Sequence, residues 1–144
     1  EAQAAMGIVQ LKRFPQMARA RRKNFKALEK FFKTYVKFFH LPESLPKADP
    51  CWFAFPLTLR DKVPFSRNEI LSYLEQHKIE GRSLFAGNIV RHPALRGVNY
   101  KISGNLENSD KVLKDTFFVG VWPGIGPVER AYMQQVFTDY LQKF

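Results

Sequence analysis

Apolar residues recur at helical spacing near both ends of the chain. Residues 1–39 are predicted to be helical with an interruption near Pro15, and the apolar residues that follow helical spacing there are Ala4, Ala5, Ile8, Leu11, Met17, Phe25, Leu28, Phe32, Tyr35 and Phe39. Pro15 has no N–H to give to the preceding turn, so it should end one helix or kink a long one. The last helix is expected to open at Pro127 and to carry on one side Val128, Met133, Val136, Phe137, Tyr140, Leu141 and Phe144.

Two segments between these helices have the pattern of β-strands. Residues 51–60 alternate, which places Phe53, Phe55, Leu57 and Leu59 on one face and Trp52, Ala54, Pro56 and Thr58 on the other. Pro56 cannot donate to a ladder, so it predicts an edge or a bulge. Residues 116–122 are predicted to form a second strand, and residues 79–86 look extended.

Turn and cap signals divide the rest of the chain. Residues 66–69 (SRNE) form a capping box, which predicts a helix to about Lys78 with a buried face made of Ile70, Leu71 and Leu74. Asn108 or Ser109 is expected to cap a short helix that ends near Asp115. Residues 40–50 form a connector, and residues 87–108 form a long loop of the kind that is usually functional. The order of elements predicts an α+β domain with a small, mainly antiparallel sheet and helices on one face.

The composition is that of one soluble globular domain. The chain has 144 residues, of which 45% are hydrophobic, and 14 Phe supply material for a core. No apolar run approaches the roughly 20 residues needed to span a bilayer, so no membrane partner is expected. The one cysteine, Cys51, excludes an internal disulfide and a cysteine-only metal site, and the default setting is a reducing cytoplasm.

The net charge of +10 is concentrated in residues 12–37, which hold ten Lys or Arg against one acid, Glu29. Such a stretch could bind nucleic acid, but no recognition motif accompanies it, and its aromatic residues are spaced for a core. A solvated helix face, or a surface that meets another part of a larger protein, is the preferred interpretation, and no nucleic-acid partner is predicted. A non-catalytic basic binding module stays as an alternative.

The chain shows no complete catalytic or metal-binding constellation. His40 and His77 have no serine or cysteine arranged with them as a nucleophile pair, and no metal ligands cluster. Residues 124–129 (GIGPVE) are half of a dinucleotide fingerprint, but the third glycine is missing and Pro127 removes an N–H. A turn is preferred there over a phosphate site.

Residues 80–88 (EGRSLFAGN) are the most suggestive segment. In an extended chain Glu80, Arg82 and Leu84 share a face, and an arginine beside an acid can form a fixed fork for a carboxylate, phosphate or sugar hydroxyl. Gly87 allows close approach of a ligand, and Asn88 offers a donor and an acceptor. Taken alone, these residues fit a surface salt bridge followed by a turn better than a ligand site.

Several stretches resemble motifs of one family, in order and spacing: residues 1–7 (EAQAAMG), 49–56 (DPCWFAFP), 82–93 (RSLFAGNIVRHP), 97–100 (GVNY), 108–110 (NSD) and 116–124 (TFFVGVWPG). Together they resemble the CDP-4-keto-6-deoxyglucose 3-dehydrases, the RfbH-type members of the DegT-like sugar aminotransferase family. Glu80-Gly81 departs from the family's usual Gly-Thr, and His92 stands where glutamine is common. These departures bear on which substrate is bound more than on whether the chain belongs to the family.

The resemblance implies that residues 1–144 are a single domain, the small C-terminal domain of a fold-type I pyridoxal-phosphate-dependent enzyme whose N-terminal cofactor domain is absent here. The chain begins with Glu1 in a helix without a start signal, which also favours a piece of a longer protein. The whole enzyme would use pyridoxamine phosphate to remove the 3-hydroxyl of a nucleotide-linked 4-keto hexose for dideoxysugars of lipopolysaccharide O-antigens. Some members carry a [2Fe-2S] cluster and take electrons from a flavin-dependent reductase, and homodimers are common.

The resemblance assigns this chain no catalytic, cofactor-binding or metal-binding residue. It places Glu80, Arg82, Phe85 and Asn88 against the hexose or its diphosphate, as one wall of the active site. Arg91 and His92 are weaker candidates in the adjoining loop. The C-terminal domain of a nucleotide-sugar aminotransferase is the alternative enzymatic reading.

Overall fold

Four α-helices and four short strands account for most of the chain in the computed structural model, which describes residues 1–144. The helices are α1 (Ala2–Phe32), α2 (Arg67–Gln76), α3 (Glu107–Asp115) and α4 (Pro127–Leu141). The strands are β1 (Phe39–His40), β2 (Ala54–Leu59), β3 (Gly81–Ser83) and β4 (Thr116–Gly120). Single 3₁₀ turns occupy Lys33–Tyr35, Ile89–Arg91 and Pro93–Leu95. None of the helices is both long and apolar enough to cross a membrane.

The strands form one sheet in the order β1-β2-β4-β3, with every neighbouring pair antiparallel. The predicted α+β class and antiparallel sheet are confirmed. Pro56 lies in β2 opposite Phe118 of β4, beyond the two residues of β2 that pair with β1. The backbone N–H of Arg60 points towards β1, where it donates to the carbonyl of Phe38. Backbone N–H groups two residues apart in a strand point to the same side, so the nitrogen of Pro56 also points towards the β1 side. At Pro56 no residue of β1 lies opposite, and no ladder hydrogen bond is lost. The predicted edge position is therefore confirmed.

The core lies between the inner face of the sheet and helices α1, α2 and α4. The rings of Phe32 in α1 and Phe55 in β2 are stacked 5.5 Å apart, and Phe137 of α4 meets Phe32 edge-on at 4.9 Å. All three side chains are fully buried. A Cβ on Gly81 of β3 would meet the side chain of Leu71 in α2, so this strand also approaches the helices closely.

The first helix is continuous through Pro15, which is exposed, so water can bond the carbonyl that the proline leaves free. Its predicted extension to residue 39 is wrong, because Phe32 ends α1 and Phe39 enters β1. Buried residues occur only from residue 18 onward. The first half of α1 reaches no other element of the core and exposes Met6, Ile8, Val9, Leu11 and Phe14.

The predicted start of α2 is confirmed, since Ser66 and Glu69 exchange both bonds of a capping box. The cap predicted for α3 is wrong, because this helix begins at Glu107. Its N-cap is Leu106, two or three residues before the predicted caps, and it makes no side-chain cap hydrogen bond. In α4 the prediction for Val128 is also wrong, because this side chain is 76% exposed. Val128 lies in the first turn of the helix, before α4 reaches the core.

The alternation predicted for residues 51–60 fails at its start. Trp52 stacks on Phe25 of α1 at 5.1 Å, whereas Phe53 packs against Phe118 on the opposite face of the sheet. Regular strand geometry begins only at Ala54, after a bend at Phe53, so the two-residue period does not hold before that point. This bend places a large aromatic ring outside the core.

Candidate functional site

The outer face of the sheet carries a cluster of three aromatic rings. Phe118 of β4 lies beneath Phe53 and Phe85, at ring distances of 5.4 and 5.9 Å, and Phe53 and Phe85 are 6.1 Å apart. Phe118 is 9% exposed, but Phe53 and Phe85 are 54% and 73% exposed. Arg21 of α1 donates to the carbonyl of Phe53 at 3.1 Å, which ties this edge of the cluster to the first helix.

A charged pair borders the aromatic cluster. Arg82 pairs with Phe118 across the ladder, and cross-strand partners point to the same face, so Arg82 also lies on the outer side. Its Nε donates to Oε1 of Glu80 at 2.6 Å, and Nη2 reaches the same oxygen. Both side chains are about 70% exposed, and the other donors of the guanidinium make no bond within the chain. We call Phe53, Phe85, Phe118, Arg82 and Glu80 the outer wall.

The loop after β3 is held against α3 by a buried amide and an ion pair. Asn88 is 3% exposed, donates from Nδ2 to Oδ1 of Asp110 at 2.7 Å and accepts from the N–H of Val90 at 3.1 Å. Arg91 forms a fork with the same carboxylate, with Nε to Oδ1 at 2.9 Å and Nη2 to Oδ2 at 2.7 Å. These hydrogen bonds, from Arg91 first and then Asn88, lower the pKa of Asp110 to about 2. We call Asn88, Arg91 and Asp110 the latch.

His92 closes the same loop from the other side. Its Nε2 lies 2.7 Å from the carbonyl oxygen of Ala86. A carbonyl can only accept, so this nitrogen must carry the proton. His92 therefore stabilises the loop, and its bonding partner is the chain itself.

Of the six residues predicted to face the substrate, the structure brings Glu80, Arg82 and Phe85 together on the outer wall. The other three are Asn88, Arg91 and His92, whose polar atoms are engaged within the loop and with α3. Sequence reasoning missed Phe53, Phe118 and Asp110 as parts of this region. One signal was present: Phe117 and Phe118 are consecutive in a strand, which indicates that both faces of that strand are covered.

The Gly-rich segment before α4 forms a turn, as predicted. The ring of Trp122 lies where a Cβ of Gly124 would be, so a larger residue there would displace the ring. The carboxylate of Glu129 accepts from the N–H of Gly126 at 2.9 Å and occupies the start of the helix. An anion would meet this negative charge, which argues against a phosphate site.

The basic stretch forms an exposed face of α1. Its side chains at helical spacing are Arg19, Lys23, Lys26, Lys30 and Lys33. Lys33 pairs with Glu29 at 3.2 Å, and the other four make no ion pair within the chain. Helix α1 therefore presents a cationic stripe on the side away from the core.

The comparisons with known proteins agree with this fold. The model of the DegT/DnrJ/EryC1/StrS aminotransferase family matches residues 1–137. The chain belongs to this family. It is 36% identical to the lipopolysaccharide biosynthesis protein RfbH of Salmonella typhimurium, over 96% of this chain and 32% of that protein. It is 37% identical to a dTDP-4-dehydro-2,6-dideoxy-D-glucose 3-dehydratase of Saccharopolyspora spinosa, over 98% of this chain and 30% of that protein.

Solved structures of the family have the same architecture. An E. coli GDP-4-keto-6-deoxy-D-mannose-3-dehydratase with bound hydrated PLP superposes with a TM-score of 0.82 at 26% identity, over 92% of this chain and 33% of the other. An aminotransferase from Psychrobacter cryohalolentis gives a TM-score of 0.87 at 16% identity, over 98% of this chain and 38% of the other, which shows the fold alone. The chain thus spans about a third of the length of these relatives.

The residues of this chain do not form a complete site for pyridoxal phosphate. The carboxylate of Glu129 occupies the helix start that follows the Gly-rich turn, so that helix start is not open to the phosphate of the cofactor. No group of three or more His, Cys, Asp or Glu side chains could hold a metal ion, and Cys51 is a half-buried free thiol. An iron–sulfur cluster likewise has no set of ligands here.

Proposed function

We propose that this chain is the small C-terminal domain of a pyridoxamine-phosphate-dependent nucleotide-sugar 3-dehydratase, and that its outer wall faces the substrate. The observation that carries the proposal is the identity of 36–37% to RfbH and to a 3-dehydratase over nearly the whole chain. This chain covers only about a third of the length of each relative, which supports the assignment of the cofactor site to a preceding N-terminal domain. The 3-dehydratase structure with bound PLP supports the same cofactor chemistry.

The proposal extends to the reaction and its setting. The substrate is CDP-4-keto-6-deoxyglucose, which loses its 3-hydroxyl on the way to a dideoxysugar of an O-antigen. The whole enzyme is a cytoplasmic homodimer. If it belongs to the members that carry a [2Fe-2S] cluster, the cluster lies in its other domain and a flavin-dependent reductase supplies the electrons. The isolated domain is inactive, because the cofactor site lies outside it.

The outer wall supplies two kinds of contact in this proposal. The guanidinium of Arg82 is held in one orientation by Glu80 and has donors left for a diphosphate or a sugar hydroxyl. The exposed rings of Phe53 and Phe85 offer apolar surface to the carbon face of a hexose and exclude water from it. Asn88, Arg91 and His92 support the wall indirectly, through the hydrogen bonds that hold the loop in place.

A nucleotide-sugar aminotransferase is the second candidate, because the matching family model describes aminotransferases. The two activities differ in the residue at the cofactor position of the preceding domain, a histidine in the dehydratases and a lysine in the aminotransferases. A basic binding module, supported by the cationic stripe of α1, is the non-enzymatic alternative. Salt-sensitive binding to random DNA would favour that alternative.

The test uses the full-length protein with pyridoxamine phosphate and CDP-4-keto-6-deoxyglucose, with and without a reductase, followed by mass spectrometry. Loss of the 3-hydroxyl supports the proposal, and transfer of an amino group onto the sugar supports the aminotransferase instead. Arg82→Ala should raise KM about 10- to 100-fold, since a hydrogen bond to a charged group contributes about 1.5–3 kcal/mol. Arg19→Ala removes an exposed arginine from α1 and is the matched control.

A further inference from the structure

Phe85 has an unusual backbone conformation. Its φ is +44°, in the left-handed region that side chains other than glycine rarely adopt. Its ring is also among the most exposed large apolar side chains of the chain. A residue keeps such a conformation only where its surroundings impose it, and such residues concentrate at ligand-binding and catalytic sites.

The surroundings of Phe85 impose this conformation through a hydrogen bond before the residue and a close packing contact after it. Before it, the N–H of Leu84 reaches the carbonyl of Thr116, the first residue of β4, at 3.4 Å. After it, Gly87 lies so close to α3 that an added Cβ would be 2.5 Å from the Cα of Leu113. The chain between these two points is too short to relax, and it must turn at Phe85.

The latch fixes the far side of that turn with three short hydrogen bonds to one carboxylate. Asp110 accepts from Asn88 at 2.7 Å and from Arg91 at 2.9 and 2.7 Å. Asn88 follows Gly87 directly, so its position decides where the glycine meets α3. Arg91 and Asp110 form the salt bridge that joins the loop to α3.

We propose that Asp110 is a positioning residue: through Asn88 and Arg91 it holds residues 84–92 against α3 and keeps the Phe85 ring on the outer wall, where that ring packs on the nucleotide sugar. The substrate-contacting role of Phe85 rests on the proposed function. Asp110 itself touches no substrate in this proposal. Its removal therefore weakens substrate binding and leaves the bond-breaking chemistry of the preceding domain in place.

Two measurements on the full-length protein test this inference. Asp110→Asn keeps the shape of the side chain but loses its charge, and it should speed hydrogen exchange in peptides from residues 84–92 while other regions stay unchanged. The same variant should raise KM about ten- to a hundredfold with kcat within about threefold, as expected for a displaced binding group. Asp139→Asn, on an exposed turn of α4 with one side-chain partner, is the matched control and should change neither.

A double-variant cycle separates positioning from general weakening. If Asp110 acts through the aromatic ring, Asp110→Asn combined with Phe85→Ala should raise KM no further than Phe85→Ala alone, within about twofold. Two results would overturn the inference. One is that the effects of the two substitutions on KM multiply, and the other is that Asp110→Asn leaves hydrogen exchange in residues 84–92 unchanged. If the wild-type enzyme turns over no nucleotide sugar, the proposed function fails and the role of Phe85 fails with it, even where the exchange data show the latch.

Discussion

Gly87→Ala is the sharpest test of the loop packing. The residue has a φ of +57°, which costs an L-residue about 1–2 kcal/mol. The new methyl group would also lie 2.5, 2.7 and 2.8 Å from the Cα, Cβ and N of Leu113. These are mostly main-chain atoms of α3 and cannot rotate away, so overpacking adds about 1–3 kcal/mol. The free energy of unfolding should therefore fall by about 2–5 kcal/mol.

Gly97→Ala is the control for this prediction. Gly97 has a φ of +78° but no heavy atom within 4 Å of the added Cβ, so this substitution carries the conformational cost alone. Urea unfolding of both variants, with the m-value checked for two-state behaviour, measures the difference. Equal losses for the two variants would show that residue 87 does not pack on α3, and the geometry of the latch would have to be abandoned.

Three further predictions concern buried or paired groups. Asn24→Leu should lower the free energy of unfolding by about 1–3 kcal/mol, because it removes the hydrogen bonds that the buried Asn24 amide makes with the Trp122 carbonyl and with Arg130; thermal unfolding measures this. The hydrogen bonds from Arg91 hold the pKa of Asp110 at about 2, below the ordinary 3.8. The latch should therefore persist in acid and weaken only as the pH falls through that value, as a carboxyl NMR titration would show; a midpoint near 4 would contradict it. Burial raises the pKa of Tyr140 to about 12, so stability should decline as the pH rises from 10 through 12, and Tyr140→Phe should reduce that decline.

Most elements of this fold could be predicted because their signals are local. The capping box at Ser66 and the proline that opens α4 act within one turn of their own helix. The apolar strand at 116–120 and the alternation after Ala54 report burial on a sheet, and antiparallel pairing follows from their order. Local signals failed where no periodic element existed, as at Trp52 and Phe53, whose directions depend on a bend.

The candidate site could be predicted only in part. The motif resemblance directed attention to residues 80–92, and three of its six candidate residues meet on the outer wall. It could not distinguish side chains that point outward from those that hold the loop. Asn88 and Arg91 are polar residues in a suggestive segment, yet their bonds go to Asp110, about twenty positions later in the chain.

The sequence by itself determined the class of the fold, the starts of α2 and α4 and the family of the chain, because propensity, capping and motif spacing are properties of neighbouring residues. Tertiary structure alone decided which residues form the outer wall. Its three rings come from the bend before β2, the loop after β3 and the middle of β4, and they meet because the sheet places β4 between β2 and β3. Contacts between such distant segments depend on the packing of the whole domain, which no short window of sequence contains.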